Sequence, residues 1–380
     1  MERTKHLVID DANCKIPHEI VCQEILSRLP VTTIIRFWSV SKLWYSLRYD
    51  HNFIKRHISR SVGSSKVIIL SSEKSDRDHS VLSFYLLDNN MEGNKAKTEI
   101  LFSTPVYKDY YEMLPPCDGL VCFSSSFKKD IYVLNPSTRE LIELPNVDNP
   151  GDLVAMSPCK LIGFGFDKTR GKYKVMCAFH GILPDSKCFI YELGPVNGRW
   201  RRINDLPYRI RLSEHAYLNG TMHWLIPHKF QRIVEGILSF NLEDEKFQVI
   251  SLPSCNTWES TYMKFPSRRS VVYLRTFGGY LYLITTLIET DLRSCLLDFW
   301  RLKDYEKCAW VHEVRVCFVL KSLRPPVPID MRDGKVFLLS EKKLYSHDLE
   351  LHDSTNIRIN QMGDFQGNYV QSLVPIIGPY

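Results

Sequence analysis

Residues 16–47 read IPHEIVCQEILSRLPVTTIIRFWSVSKLWYSL, three brief runs whose apolar residues recur at helical spacing. Pro17 stands where a first helical turn tolerates a missing amide, and Ile20, Val21, Ile25, Leu26 and Leu29 form an apolar stripe that Pro30 stops. Thr32 or Thr33 is placed to cap a second helix carrying Ile34, Ile35, Phe37 and Trp38. Ser41 is placed to cap a third carrying Leu43, Trp44 and Leu47. Helices of about ten residues are marginal alone, and so small a segment buries little surface without a neighbouring domain or a partner. The pattern predicts a docking device.

The ordered set Ile16-Pro17, Ile25-Leu26, Ser27-Arg28-Leu29-Pro30, Arg36-Phe37, Val40-Ser41-Lys42, Trp44 and Leu47 resembles the F-box, the small helical module that binds Skp1. Asp50, Phe53, Ile54 and His57 resemble the stretch that follows it in plant F-box proteins, while Trp38-Ser39 departs from the basic or small residue and Cys common in relatives. The resemblance implies Ile16, Pro17, Ile20, Leu26, Leu29, Pro30, Val31 and Ile34 as Skp1-facing positions, with Val40, Trp44 and Leu47 holding the helices together. Between Ile16 and Arg60 there are seven Lys and Arg against three acids, a surplus of +4 within a chain of net charge +6. Such a surplus speeds encounter with an acidic adaptor. The competing reading is three helices that merely cap the domain behind them.

With 380 residues, 44% hydrophobic and 24% charged, the chain has room for one small module and one substantial domain. The divisions expected are a tail over 1–15, the helical module over 16–61 and a second domain over 62–380, after the polar hinge SVGSS at 61–65. The start MERTKHLVIDDANCK lacks a signal-peptide core, and no apolar run is long enough to span a bilayer. The expectation is a cytoplasmic and/or nuclear protein. Eleven cysteines are scattered with no CxxC pair, which suits buried thiols in a reducing compartment. Cys308, His312 and Cys317 form the best cluster, yet strand alternation places Cys317 opposite the other two, so no metal is expected. Asn219-Gly220-Thr221 reads more simply as a turn than as a glycosylation sequon.

Beyond Arg60 the pattern turns to β. Aromatic-rich apolar runs of four to eight residues, such as Lys66-Leu70, Ile131-Asn135, Met222-Ile226 and Lys335-Leu339, are punctuated by Gly, Asn, Asp or Pro. A repeat puts a turn glycine before a buried strand at Gly119, Gly220, Gly279 and Gly334, with Gly163 inserted in the wide first gap. Several units continue as strand, polar turn, strand and Leu-Pro, as at Leu144-Pro145, Leu206-Pro207 and Leu252-Pro253. The spacing predicts an all-β propeller behind the helical module, with an irregular β-sandwich as the alternative. CDGLVCF, LNPSTRELIELP, GFGFD, YLNGTMHWL and ILSFNLEDEKFQVISLP resemble the kelch-like F-box-associated domain of plant F-box proteins, a group that includes S-locus F-box proteins. That resemblance implies about six blades, with Val67-Leu70 and Tyr369-Ile376 closing the ring and leaving no open sheet edge.

No GxSxG, GxxxxGK[ST] or HExxH motif occurs, and Gly163-Phe164-Gly165 lacks a third glycine. Asp118, Asp167 and Asp333 recur at turns, where side-chain to backbone hydrogen bonding accounts for them. The basic group Arg199, Arg201, Arg202, Arg209 and Arg211, with Lys229 and Arg232, reads as a solvated hairpin end around Trp200 and Ile203 rather than a nucleic-acid face. Loops 146–160, 208–214, 228–235, 256–269 and 321–328 are candidate substrate contacts. The resulting expectation is a non-enzymatic, cofactor-free substrate receptor of a Skp1–cullin–F-box ubiquitin ligase. Its expected partners are a Skp1-like adaptor, a cullin-RING ligase reached through Skp1, and a protein substrate that no motif identifies; neither nucleic acid nor membrane is expected. A propeller enzyme or ligand sensor with a helical cap, and a Skp1-binding protein outside a ligase, are the rivals.

Overall fold

The computed structural model describes residues 18–61, 66–74, 79–87, 95–96, 98–107, 109–126, 130–147, 160–179, 186–194, 198–228, 234–253, 271–288, 293–320, 324–341, 343–359 and 364–376. Ile16, Pro17, the tail over 1–15 and the hinge residues 62–65 lie outside them. The first helix starts at His18–Ile20 and continues through a wide turn, Val21–Ile25, and a tight one, Leu26–Arg28. Leu29 is extended (φ −80°, ψ 152°), because the ring of Pro30 disfavours a helical residue before it.

The second helix, Val31–Phe37, begins directly behind Pro30, whose carbonyl accepts the Thr33 and Ile34 amides at 2.9 and 3.1 Å. Neither Thr32 nor Thr33 caps it, because proline already presets the first turn. Ser41 does cap the third, Lys42–Ser46: its Oγ accepts the Trp44 amide at 3.1 Å. A fourth helix, His51–Ser61, was not foreseen among the three expected. The Asp50 carboxylate accepts the Asn52 and Phe53 amides at 2.9 and 3.1 Å, and Phe53, Ile54 and His57 form the buried face.

Six antiparallel sheets follow, so the structure is a six-bladed propeller and the sandwich alternative is set aside. The second blade runs outward through Tyr111–Met113, Val121–Ser125, Ile131–Asn135 and Glu140–Glu143, and the third through Lys160–Asp167, Lys172–Ala178, Cys188–Glu192 and Arg201–Arg202. The fourth comprises Arg211–Leu218, Thr221–Pro227, Val234–Asn241 and Lys246–Ile250; the fifth comprises Val272–Phe277, Tyr280–Ile288, Ser294–Asp304 and Ala309–Val319. The sixth, Val327–Arg332, Lys335–Ser340, Lys343–Asp348 and Asp353–Ile359, gains a parallel two-residue strand, Lys95–Ala96.

The first blade joins the two ends of the chain. Lys66–Lys74, His79–Leu87 and Thr98–Tyr107 supply its outer strands, and Asp364–Tyr369 adds the inner one, pairing Lys66 with Tyr369 and Leu70 with Asp364. The closing strand therefore lies ahead of Tyr369, not between Tyr369 and Ile376 as expected. Closure removes the seam in the ring while each blade keeps its outermost strand as an edge, which corrects the expectation that no edge remains.

The turn chemistry explains the repeat. Asp118-Gly119, Asn219-Gly220, Gly278-Gly279 and Asp333-Gly334 have positive φ at both residues, from 49° to 83°, the two-residue hairpin turn that matches strand twist. Gly163 does not belong to this set: it lies inside Lys160–Asp167, and a Cβ there would sit 2.2 Å from the Met222 sulfur. The glycine in the equivalent third-blade connection is Gly171 (φ 64°).

The polar turns expected inside the units carry a second device, expected by residue only at Asp167; Asp118 instead accepts the Tyr173 hydroxyl. Asn135, Asp167, Asn241, Asp304 and Asp348 each end a strand and accept backbone amides two or three residues on, at 2.8–3.3 Å. The residue four positions after each, Arg139, Gly171, Glu245, Cys308 or His352, takes positive φ. Cys308 is thus a turn residue, His312 pairs with Asp298 at 2.7 Å, and Cys317 is exposed. Among the described residues no group of three His, Cys, Asp or Glu side chains is arranged for a metal ion.

Candidate docking site

The helical module divides its apolar residues between two surfaces. Cys22, Leu26, Val31, Ile34, Leu47, Phe53 and Ile54 share one buried cluster with Leu120, Val133 and Val175 of the propeller and with Leu373, Val374 and Ile376 near the carboxyl end. Of the positions expected to face a partner, Leu26, Val31 and Ile34 are only 1–3% exposed, Leu29 is half-buried, and Ile20 (48%) and Pro30 are exposed. Among those expected to hold the helices together, Leu47 is buried and Trp44 half-buried against Phe37, at 5.3 Å between rings. Val40 instead is 62% exposed; it lies beyond the second helix, which ends at Phe37. Leu43 (53%), Ile25 and Tyr45 are exposed as well. Several large apolar side chains exposed on one small module are the signature of a contact surface.

Charge ties the helices to each other. Glu24 receives Arg28 at 3.1 Å, Arg56 at 2.9 Å and Arg60 at 2.9 Å, so one carboxylate links the first and fourth helices. Hydrogen bonds from Arg28 and Arg60 hold that carboxyl below the usual range. The buried His57 Nε2 lies 3.0 Å from the Leu29 carbonyl, and burial lowers its imidazole pKa.

The module is joined to the propeller by side chains, not by sequence proximity alone. The Arg48 guanidinium lies over the rings of Trp38, Tyr45 and Tyr49 at 4.8–5.3 Å and reaches Glu140 of the second blade at 3.0 Å. The other Glu140 oxygen accepts the Ile376 amide at 2.9 Å, and the Asn135 side-chain amide donates to the Ser372 and Val374 carbonyls at 3.1 and 2.8 Å. The segment after the ring-closing strand is therefore clamped between helices and blade. A Cβ on Gly119 would meet Ser372 at 2.4 Å, so only glycine admits it.

Matches to known families agree with this geometry. Residues 14–54 match the F-box domain and residues 67–327 the F-box associated beta propeller domain. The chain belongs to the F-box-associated β-propeller family. It is 25% identical to the Arabidopsis thaliana F-box protein At4g19940 over 96% of this chain and 90% of that protein, and 28% identical to F-box protein At5g49610 over 86% and 87%. It is also 25% identical to F-box/kelch-repeat protein At4g19930, over 87% of this chain and 77% of that protein. For F-box protein At5g10340, at 28% identity, the match spans 65% of this chain and 60% of the relative. The role carried by this family architecture is that of an F-box adaptor.

On the propeller of this F-box chain, the expected basic group is partly spent internally. Arg201 bonds Glu245, at 2.7 Å through Nη1, and Glu192 at 3.2 Å, and Arg202 pairs with Asp205 at 3.0 Å. Trp200 and Ile203 are half-buried, and the Trp200 indole donates to the Pro145 carbonyl of the preceding blade at 2.6 Å. Lys229, Arg232 and loop 256–269 lie outside the described residues, as do most of loops 146–160 and 228–235 and residues 321–323. In loop 208–214, Tyr208 is exposed and Ile210 buried.

The ion cluster behind Arg201 escaped sequence reasoning. Lys174 and Asp167 are both fully buried and 2.7 Å apart, and the Lys174 ammonium also donates to Glu245 and to the Leu242 carbonyl at 2.7–2.8 Å, crossing from the third blade to the fourth. Burial acts to raise the Asp167 carboxyl, yet the Lys174 hydrogen bond and the Arg170 and Thr169 amides bring it below its usual range. Burial opposes ionisation of Glu245 too, and bonds from Arg201 and Lys174 bring its pKa down to about 2. The one signal was a lysine inside the run YKVMCAF, where strand alternation would have sent it inward.

Proposed function

We propose that this chain is the substrate-recognition subunit of a Skp1–cullin–F-box ubiquitin ligase, acting in the cytoplasm and/or nucleus. Its helical module docks on a Skp1-like adaptor, and its propeller holds a protein target for ubiquitin transfer by a separate catalytic module. The observation that carries this reading is the exposed apolar set Ile20, Ile25, Val40 and Leu43 on a module whose family match is the F-box. Burying such side chains yields roughly 1.5–3 kcal/mol each, enough for a micromolar or tighter contact after association costs. Transfer is then promoted by raising the effective concentration of target lysines.

The test is co-purification of the full chain with Skp1 and cullin. Changing Ile20 and Leu43 to Asp should abolish Skp1 recovery while leaving the melting temperature unchanged; retained binding would refute the docking surface. Leu26 is unsuited to this test, because a charge at so buried a site would unfold the module. Recovery of Skp1 without cullin would favour a role outside a ligase.

A further inference from the structure

Between the fourth helix and the propeller lies a cavity of about 420 Å³. Its walls are Ile54 and Ile58 from the helix, Phe166 and Tyr173 from the third blade, and Val374 and Pro375 from the clamped segment. A cavity this size exceeds packing defects and falls within the range of small-molecule sites, which favour junctions between domains.

Three charged groups line it. Asp118 is turned inward, accepts the Tyr173 hydroxyl at 3.1 Å and has the Cys117 thiol 3.9 Å away. Burial raises its carboxyl pKa, which the Tyr173 bond and the Lys168 charge oppose. Lys55 from the helix has no hydrogen bond or ion pair among the described residues. Lys168, from the blade, makes among the described residues a 3.5 Å contact with the Asn219 side-chain oxygen besides its attraction to Asp118. Lys55 and Lys168 are both exposed at the edge of the cavity, and against the one Asp118 carboxylate they leave a surplus of one positive charge drawn from both domains.

We propose that this cavity binds a small apolar acid, its carboxylate held by Lys55 and Lys168 and its aromatic or aliphatic body lying against Ile58, Phe166 and Tyr173. An amine of the same shape would meet two ammonium groups against the single Asp118 carboxylate, and a neutral analogue would keep only the apolar contact. Because the two lysines belong to the helix and to the blade, the occupied site would bridge the docking module and the propeller. The site stands independently of which adaptor the module binds.

The experiment is calorimetric titration of the full chain with 4-phenylbutyrate, 4-phenylbutanol and 4-phenylbutylamine. The acid should bind at least tenfold more tightly than the alcohol, and the amine should give no heat. Lys55→Ala and Lys168→Ala should each weaken the acid about tenfold without changing the alcohol, and Ile58→Trp, which fills the space, should remove both. Melting curves check that each variant is folded. Equal or tighter binding of the amine, acid binding insensitive to both lysine changes, or no binding by any probe would overturn the proposal.

Discussion

In the helical module Ile20, Val40 and Leu43 remain about half or more exposed, whereas in the propeller Trp224, Phe240 and Phe299 vanish between blades. The charges divide the same way. Glu24 gathers three arginines at the surface of the module, while Lys174, Asp167 and Glu245 meet inside the joint between two blades. The module keeps surface for a partner, and its ion pairs, unlike its buried apolar cluster, are ones that water and salt can reach. The buried charges of the propeller join its third and fourth blades, where breaking the pair would leave a charge uncompensated.

The most severe way to break this contrast is to remove residues 364–380. That deletes the inner strand of the first blade and the buried Leu373, Val374 and Ile376. At roughly 1.5–3 kcal/mol per side chain, plus the lost strand, the change rivals a typical net stability of about 5–15 kcal/mol. The shortened chain should lose cooperative melting in calorimetry and become protease-sensitive in both domains.

Lys174→Met should cost about 3–5 kcal/mol, because the buried Asp167 keeps only backbone amides and the Arg170 guanidinium 4.0 Å away once the ammonium it shares with Glu245 is gone. Adding Asp167→Asn should return part of that, measured by urea unfolding. A pH effect of intermediate size comes from His223, which burial pushes down to about 3. Its folded pKa lies below the unfolded value near 6.5, so its contribution is complete above about pH 6.5 and is lost as pH falls toward 3. Between pH 7 and pH 5 this group alone should remove about 2 kcal/mol, and His223→Leu should flatten that slope in unfolding experiments.

Arg48→Ala tests the joint between the two regions. Its pair with Glu140 is about a quarter exposed on each side, so the cost should be about 1 kcal/mol or less and should shrink in high salt. Val40→Asp touches only the exposed surface: stability should stay within about 0.5 kcal/mol, while Skp1 recovery in a pull-down falls at least tenfold. A large stability loss there would move Val40 back to the interior of the module.

Much of this arrangement was legible in residue pattern. The dipeptides Asp118-Gly119, Asn219-Gly220 and Asp333-Gly334 specify a turn whose positive φ few other pairs tolerate, and Ser41 caps its helix as its position suggested. Gly163 misled because glycine answers two different needs, a left-handed turn and close packing, and only the neighbouring Met222 shows which one applies. Val40 misled for a different reason: its interior place was carried over from the family resemblance, and it lies beyond the second helix, which ends at Phe37.

The sequence by itself determined the helical module, the β character and the repeat, because these rest on local periodicity and turn chemistry; the joining of the chain ends followed only from the family resemblance. Tertiary structure alone decided that Leu26, Val31 and Ile34 are covered while Ile20 and Leu43 are free, and that Lys174 finds Asp167 and Glu245. It also decided that Arg48, Glu140 and Ile376 meet, and that Lys55 and Lys168 line one cavity. Burial and charge pairing depend on which distant surfaces come together, and residue spacing along the chain carries no measure of that.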